Sequence, residues 1–174
     1  MKVSRVRAAL LLGAVAATVV LLITVIESLS TPWALSLTGA PTLTGEWVGT
    51  VKTKSGRTLD VWLSIHHPLH SDKCMNCPQI EGEARTCEAR RDERRYHLWG
   101  NVEDWRGSAF LLKTLEESER PLHLTLGYMN GRWSGDVLDL TTTFRLPRGD
   151  PDTQEPVHWR MQRGSESDFR RSCR

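Results

Sequence analysis

Hydrophobic and polar residues alternate along most of the chain after Leu43, and no stretch there keeps a helical period for three turns. A side-chain period of two is typical of a β-strand with one buried face, and Leu59, Val61 and Leu63 illustrate it. The alternation predicts eight strands, which cover residues 45–53, 58–66, 79–87, 95–103, 107–115, 121–128, 132–146 and 156–163.

Connections between neighbouring strands are short, except for residues 67–78, and short connections predict an antiparallel meander. The pair Asn130-Gly131 favours a type I′ turn and is expected to join the sixth and seventh strands. Eight such strands close into a barrel because closure removes exposed strand edges. We therefore predict an all-β domain over residues 44–163, an eight-stranded antiparallel up-and-down barrel, with a two-sheet sandwich as the alternative and a C-terminal tail at 164–174.

The first 27 residues form a separate segment. Residues 1–7 carry three positive charges, and residues 8–26 are 19 uncharged residues, enough for a helix of ~29 Å, about the thickness of a bilayer core. Two interpretations stay open: a retained single-pass membrane helix with a cytoplasmic N-terminus, or a signal peptide that is cleaved on export. Both place the barrel outside the cytoplasm, because basic residues stay inside. Residues 28–43 would then be a tether.

Charge limits the classes of partner. The whole chain has a formal net charge of +2, and Lys2, Arg5, Arg7 and Glu27 account for it, so that residues 28–174 are neutral. A dedicated nucleic-acid surface needs a basic excess. We therefore expect no nucleic-acid partner, and the predicted partners are the membrane, through residues 8–26, and a small apolar ligand.

A short motif occurs twice. Residues 45–51 read Gly-Glu-Trp-Val-Gly-Thr-Val, and residues 131–137 repeat the pattern Gly-x-Trp-x-Gly-x-Val. Glycine permits a sharp bend where a strand enters a barrel, and an indole fills its tapering end. Because the predicted first and seventh strands run in the same direction, Trp47 and Trp133 should point inward at the same end of the barrel.

The stretch Leu43-Thr-Gly-Glu-Trp47, at the start of eight strands, resembles the opening of lipocalins and avidins, the calycin group. In that group the tryptophan packs under a basic residue from the last strand. The resemblance therefore implies that Arg160 or Arg163 covers Trp47. It also implies a pocket for a small apolar molecule, open at the end opposite this tryptophan, although the Thr-Asp-Tyr motif of lipocalins and a biotin-site pattern are absent.

Three functional hypotheses follow. The first is a non-enzymatic, membrane-anchored or exported barrel that binds a small apolar ligand and needs no cofactor. The second is an envelope interaction or assembly protein with a filled barrel. The third is an enzyme, but no phosphate loop, Gly-x-Ser-x-Gly elbow or zinc-protease helix supports it.

Residues 66–77 contain the main cluster of metal-ligand side chains. His66, His70, Cys74 and Cys77 have a spacing that resembles zinc knuckles and would also suit copper. Cysteines outside the cytoplasm usually form disulfides instead, and we favour that interpretation here.

Four cysteines allow three pairings. Cys77 and Cys87 bracket one predicted strand, which would hold them ~30 Å apart and prevent a bond between them. Two pairings remain, and we favour the first. They are Cys74–Cys77 with Cys87–Cys173, and Cys77–Cys173 with Cys74–Cys87.

Overall fold

The computed structural model describes residues 2–36, 39–54, 56–68, 77–88, 92–116, 125–145 and 156–173. These residues form a long N-terminal helix, eight strands and a short C-terminal helix. In chain order the elements are α1 (Lys2–Ser30), β1 (Gly45–Lys52), β2 (Thr58–His66), β3 (Ile80–Glu88), β4 (Asp92–Val102), β5 (Ala109–Glu116), β6 (Thr125–Ser134), β7 (Val137–Arg145), β8 (Val157–Arg163) and α2 (Glu166–Ser172).

The eight strands form one closed barrel in chain order, and every neighbouring pair is antiparallel. Strand β8 closes the barrel against β1, where Trp47 pairs with Arg163 and Gly49 pairs with Met161. The predicted all-β, eight-stranded barrel is therefore confirmed, and the two-sheet sandwich is excluded. The alternation of apolar and polar residues predicted the strands correctly because each strand buries one face inside the barrel.

The turn between β6 and β7 differs from the prediction. Asn130 and Gly131 lie inside β6, and the chain turns at Gly135 and Asp136 instead. Gly135 has a φ of 60°, the left-handed conformation that tight turns require. Gly131 makes room for an aromatic ring, because a Cβ there would lie 2.2 Å from Cζ of Phe110. Packing against the ring thus overrides the turn preference of the Asn-Gly pair.

Side chains from all eight strands fill the inside of the barrel. The inward-facing residues form one continuous cluster and offer almost no surface to water, as expected for a small barrel that is filled by its own side chains. At most 1% of the surface is exposed for Val51, Leu59, Leu63, Ala84, Tyr96, Leu98, Phe110, Leu112, Leu126, Met129, Leu138, Phe144 and Met161.

The segment before β1 seals one end of the barrel, which we call the closed end. Trp33 and Leu43 are both buried, and the backbone N–H of Leu43 donates to the carbonyl of Trp33 at 2.7 Å. A Cβ at Gly107, in the connection between β4 and β5, would lie 2.4 Å from Cβ of Trp33. The ring of His67 meets the indole edge-on, with 5.3 Å between centroids. Part of the expected tether therefore packs onto the barrel.

Helix α1 precedes this segment and exposes large apolar side chains from Leu11 to Leu29. The structure does not support the membrane helix predicted over residues 8–26. Across the described part of the chain, no helix is both long and apolar enough to cross a membrane.

Helix α2 replaces much of the predicted tail and covers the outer face of the first strands. Phe169 is buried there with Trp62 of β2 and with Cys87 of β3. A disulfide joins Cys87 to Cys173, just beyond the helix, in agreement with the pairing favoured from the sequence. The carboxylate of Glu46 accepts a hydrogen bond from the Trp62 indole N–H at 3.3 Å. Helix α2 thus occupies this part of the outer face.

Candidate functional site

Arg163 covers Trp47 at the closed end. Its guanidinium carbon lies 3.8 Å from the centre of the indole, which is completely buried. The Trp47 indole N–H donates to the carbonyl of Leu43 at 3.0 Å, and Arg163 donates to the carbonyls of Thr44, at 2.7 Å, and of Thr42. Burial lowers the pKa of Arg163 below its ordinary value. The structure assigns the basic partner to Arg163 and gives this group a structural role.

Trp133 lies at the end of β6, and therefore at the same end of the barrel at which β1 begins. Its ring is partly buried and packs against the core, while its indole N–H has no acceptor among the described residues. Arg160 does not reach Trp47. It lies on the outer face of β8, where its Nε donates to the Asp139 carboxylate at 2.7 Å. The four structural residues named from the sequence thus divide between the closed end and the outer face.

The histidine and cysteine cluster is only partly within the described residues. His66 ends β2 and is exposed, whereas His70 and Cys74 lie outside the part that the structure describes. Cys77 is disulfide-bonded, and a sulfur in a disulfide is not the thiolate that binds zinc or copper. Among the described residues, no three His, Cys, Asp or Glu side chains are grouped to hold a metal.

A groove of about 520 Å³ crosses the outer face of the barrel over β5, β6, β7 and β8. Its floor is the backbone of four residues that pair across these strands. Three of them turn their side chains inward, and the fourth is a glycine. These floor residues are Phe110, Gly131, Leu140 and Trp159.

Two rows of outward side chains flank this floor, and we call the whole feature the β5–β8 groove. Each row consists of residues that are directly paired across neighbouring strands, which brings positions distant in the sequence together. One row contains Asn130, Thr141 and His158, the other contains Arg132, Asp139 and Arg160, and Glu103 lies near Ala109 at the end of the groove.

Hydrogen bonds hold some of these side chains in place and leave others available. Asp139 accepts from Arg160, and Nδ1 of His158 lies 2.7 Å from Oγ1 of Thr141. Arg132 is exposed and makes no ion pair within the part of the chain that is described. The groove therefore presents a guanidinium whose donors are free to meet a ligand.

A smaller cavity of about 440 Å³ adjoins the groove toward the closed end. Arg132 and Asp139 line both the groove and the smaller cavity, and the row to which they belong separates the two spaces. Trp133 and Ser134 also line the smaller cavity, although the Trp133 ring packs against the barrel core and its indole N–H is buried. An extended ligand could therefore contact both spaces across the Arg132 row.

The barrel interior has a polar region at the end opposite Trp33. Arg94 and Glu116 point inward and approach to 3.7 Å, with 9% and 14% of their side chains exposed. Beside them, Oγ1 of Thr86 lies 3.5 Å from the Tyr96 hydroxyl. Burial raises the pKa of the Tyr96 phenol above its ordinary value. A buried ion pair contributes little net stability, because the cost of desolvation opposes the attraction between the charges. Stability alone therefore does not account for the Arg94–Glu116 pair.

The contact between Thr141 and His158 has the form of a hydroxyl beside a base, which some enzymes use for nucleophilic attack. A working pair also needs a third group that orients the imidazole. Among the residues described, no carboxylate or carbonyl contacts the other ring nitrogen of His158. The groove therefore offers hydrogen-bonding and charged side chains to a ligand.

Sequence reasoning missed the β5–β8 groove, although one signal was present. Residues 130, 132, 139, 141, 158 and 160 are polar residues that alternate with the inward-facing positions. The alternation shows that they face outward, but only the pairing register shows that they form two adjacent rows. The misplaced turn at Asn130-Gly131 would also have put Arg132 on the wrong strand.

No protein-family model matches the chain, and no curated protein matches it. Among solved structures, the chain is similar to a de novo designed fluorescence-activating β-barrel. The TM-score is 0.44 at 10% sequence identity, and the match covers 70% of this chain and 93% of the designed one. Membership of the calycin group, which the first-strand motif implied, is not shown by these comparisons.

Proposed function

We propose that this protein is an exported, non-enzymatic binding module whose filled barrel is a scaffold for a recognition surface on its outer face. One observation carries the proposal: core side chains fill the barrel, while a groove of about 520 Å³ opens on the outer face of β5 to β8. Cavities of roughly 300–1,000 Å³ are the usual size for sites that hold small ligands. The second sequence-based hypothesis, an interaction protein with a filled barrel, fits this arrangement best.

The disulfides support the proposed location outside the cytoplasm. Cys87 and Cys173 are bonded, and Cys77 is disulfide-bonded as well. Structural disulfides form and persist mainly in oxidising compartments. We propose that residues 1–27 direct export, either as a retained anchor or as a cleaved segment. The mass of the mature N-terminus distinguishes these two outcomes.

A small apolar ligand inside the barrel is the second candidate function. The inward-facing ion pair of Arg94 and Glu116, far from the Trp33 seal, marks the end of the barrel at which such a ligand would enter. A ligand that enters there must displace Tyr96, Leu126 or Phe144, because each of them has at most 1% of its surface exposed. The outer groove needs no such rearrangement, and we therefore place it first.

Site-specific photocrosslinking tests the proposed binding face. Benzoylphenylalanine replaces Asn130, an exposed residue of the groove, or Glu83, an exposed residue of β3 that lies outside the groove and serves as the control. Irradiation is carried out in the cells that produce the protein, and the intact mass is then measured. We expect a defined adduct at position 130 and none at position 83. Equal adducts at both positions, or none at either, would contradict the proposal.

A further inference from the structure

We infer that the β5–β8 groove binds an acidic saccharide, with a carboxylate of the sugar held by Arg132. This inference rests on the proposed function, because it names the class of ligand for that same outer face. It follows from two properties of the groove: the chemistry of its walls, and an exposed arginine that makes no ion pair within the described chain.

The barrel disfavours a peptide as the ligand. Extended peptides commonly bind by adding a strand to an exposed sheet edge, where their main chain finds hydrogen-bond partners. Over the floor of the groove, Phe110, Gly131 and Leu140 are each paired with residues of both neighbouring strands, so no strand edge opens between them. A helical peptide needs a groove lined by apolar side chains, whereas both walls of this groove are polar.

The walls match a ligand that is rich in hydroxyl groups. Asn130 and Asp139 supply planar amide and carboxylate groups, and Thr141 fixes the ring of His158 through Nδ1, which leaves Nε2 to face a ligand. The Asn130 amide both donates to and accepts from hydroxyls, whereas the Asp139 carboxylate only accepts. Glu103, at the end of the groove, adds a further acceptor for hydroxyl hydrogens.

Arg132 explains why the saccharide should carry an acid. It has no ion pair within the described chain, whereas the nearby Arg160 is held by Asp139. A guanidinium binds a carboxylate through two parallel hydrogen bonds, which are stronger than bonds between neutral groups. Arg132 also lies between the two cavities, so a carboxylate bound there leaves sugar rings on either side.

The test is a titration of the disulfide-intact protein with trigalacturonic acid, followed by calorimetry and by amide chemical shifts. Galactotriose, which lacks the carboxylates, and hexaglutamate, which has carboxylates without sugar rings, are the comparison ligands. We expect trigalacturonic acid to bind, with shifts at Arg132, Asp139 and Thr141. Arg132→Ala should weaken binding by about tenfold or more. Arg95→Ala, which removes an exposed arginine of β4, should change it less than about twofold.

Three results would overturn the inference: equal binding of galactotriose, tighter binding of hexaglutamate, or no binding of any of the three. An equal loss of affinity in Arg132→Ala and Arg95→Ala would also overturn it, because it would indicate charge attraction without a site. The photocrosslinking experiment separates this failure from a failure of the proposed function. An adduct at position 130 without saccharide binding leaves the binding face intact and removes only the ligand class.

Discussion

The guanidinium of Arg163 lies 3.8 Å from the centre of the Trp47 indole and so joins the last strand of the barrel to the first. The same side chain donates to the carbonyls of Thr42 and Thr44, which belong to the segment that seals the closed end. One arginine therefore holds the barrel seam and its seal together. Because this contact is buried and structural, we do not expect it to take part in ligand binding.

The first prediction concerns this pair. Trp47→Ala should lower the free energy of unfolding by about 3–5 kcal/mol, because it leaves a cavity in the core. A double-mutant cycle with Arg163→Ala should give a coupling of about 0.5–2 kcal/mol for the cation over the ring. Chemical denaturation measures both values, with Arg171→Ala, an exposed arginine of α2, as the control. A coupling near zero would show that the ring contact adds no stability.

The disulfide that fastens α2 should be a major source of stability. Cys87 and Cys173 are 86 residues apart in the sequence, and the bond between them restricts the unfolded chain over that length. Replacing both with serine should cost about 2–5 kcal/mol in the free energy of unfolding. Hydrogen exchange should also become faster in Glu166–Ser172, which the bond holds over Trp62. Unchanged exchange there would mean that packing alone secures the helix.

Gly131 should tolerate no side chain, even though it lies inside β6 and not in a turn. Gly131→Ala should destabilise the protein by about 1–3 kcal/mol, because the new Cβ meets the ring of Phe110. Adding Phe110→Leu should recover part of this loss. The adjacent Asn130→Ala changes an exposed position and should stay within about 0.5 kcal/mol of the original protein. A loss in Asn130→Ala as large as that in Gly131→Ala would instead favour a turn at this pair.

The two tyrosines of the chain allow a test of pH dependence. Burial raises the pKa of Tyr96 in the folded protein, so folding favours its neutral form. This contribution to stability is present below the ordinary phenol pKa of about 10 and is lost as the pH rises toward the raised value. In a Tyr128→Phe variant, the remaining phenolate absorbance should therefore appear together with alkaline unfolding. Phenolate that forms while the circular dichroism stays native would contradict the burial of Tyr96.

Features that depend on local chemistry could be predicted from the sequence, and features that depend on distant contacts could not. Alternation along single strands was enough to predict the barrel, and the Gly-x-Trp motif placed Trp47 at its closed end. The short helix around Phe169 gave no usable signal, because its stability comes from contacts with Trp62 and a distant cysteine. Trp33 was missed for the same reason, since it packs against Gly107 more than 70 positions away.

The candidate site could not be predicted because it depends on register. Arg132 and Asp139 face each other across β6 and β7, and Arg160 faces Asp139 across the next pair of strands. Each residue alone is an ordinary exposed polar position, and a one-residue change in pairing would separate them. The turn at Gly135 sets the first of these pairings, and the sequence favoured a different turn.

The central claim is that the barrel is a filled scaffold, and methyl chemical shifts under xenon pressure test it most directly. Xenon enters apolar cavities and shifts the signals of the methyl groups that line them. The account predicts no pressure-dependent shifts for the core methyls of Leu63, Leu98 and Leu112, compared with the exposed Leu115 as a reference. Saturable shifts confined to the core residues would reveal an internal cavity, contradict the filled barrel and favour a ligand inside it.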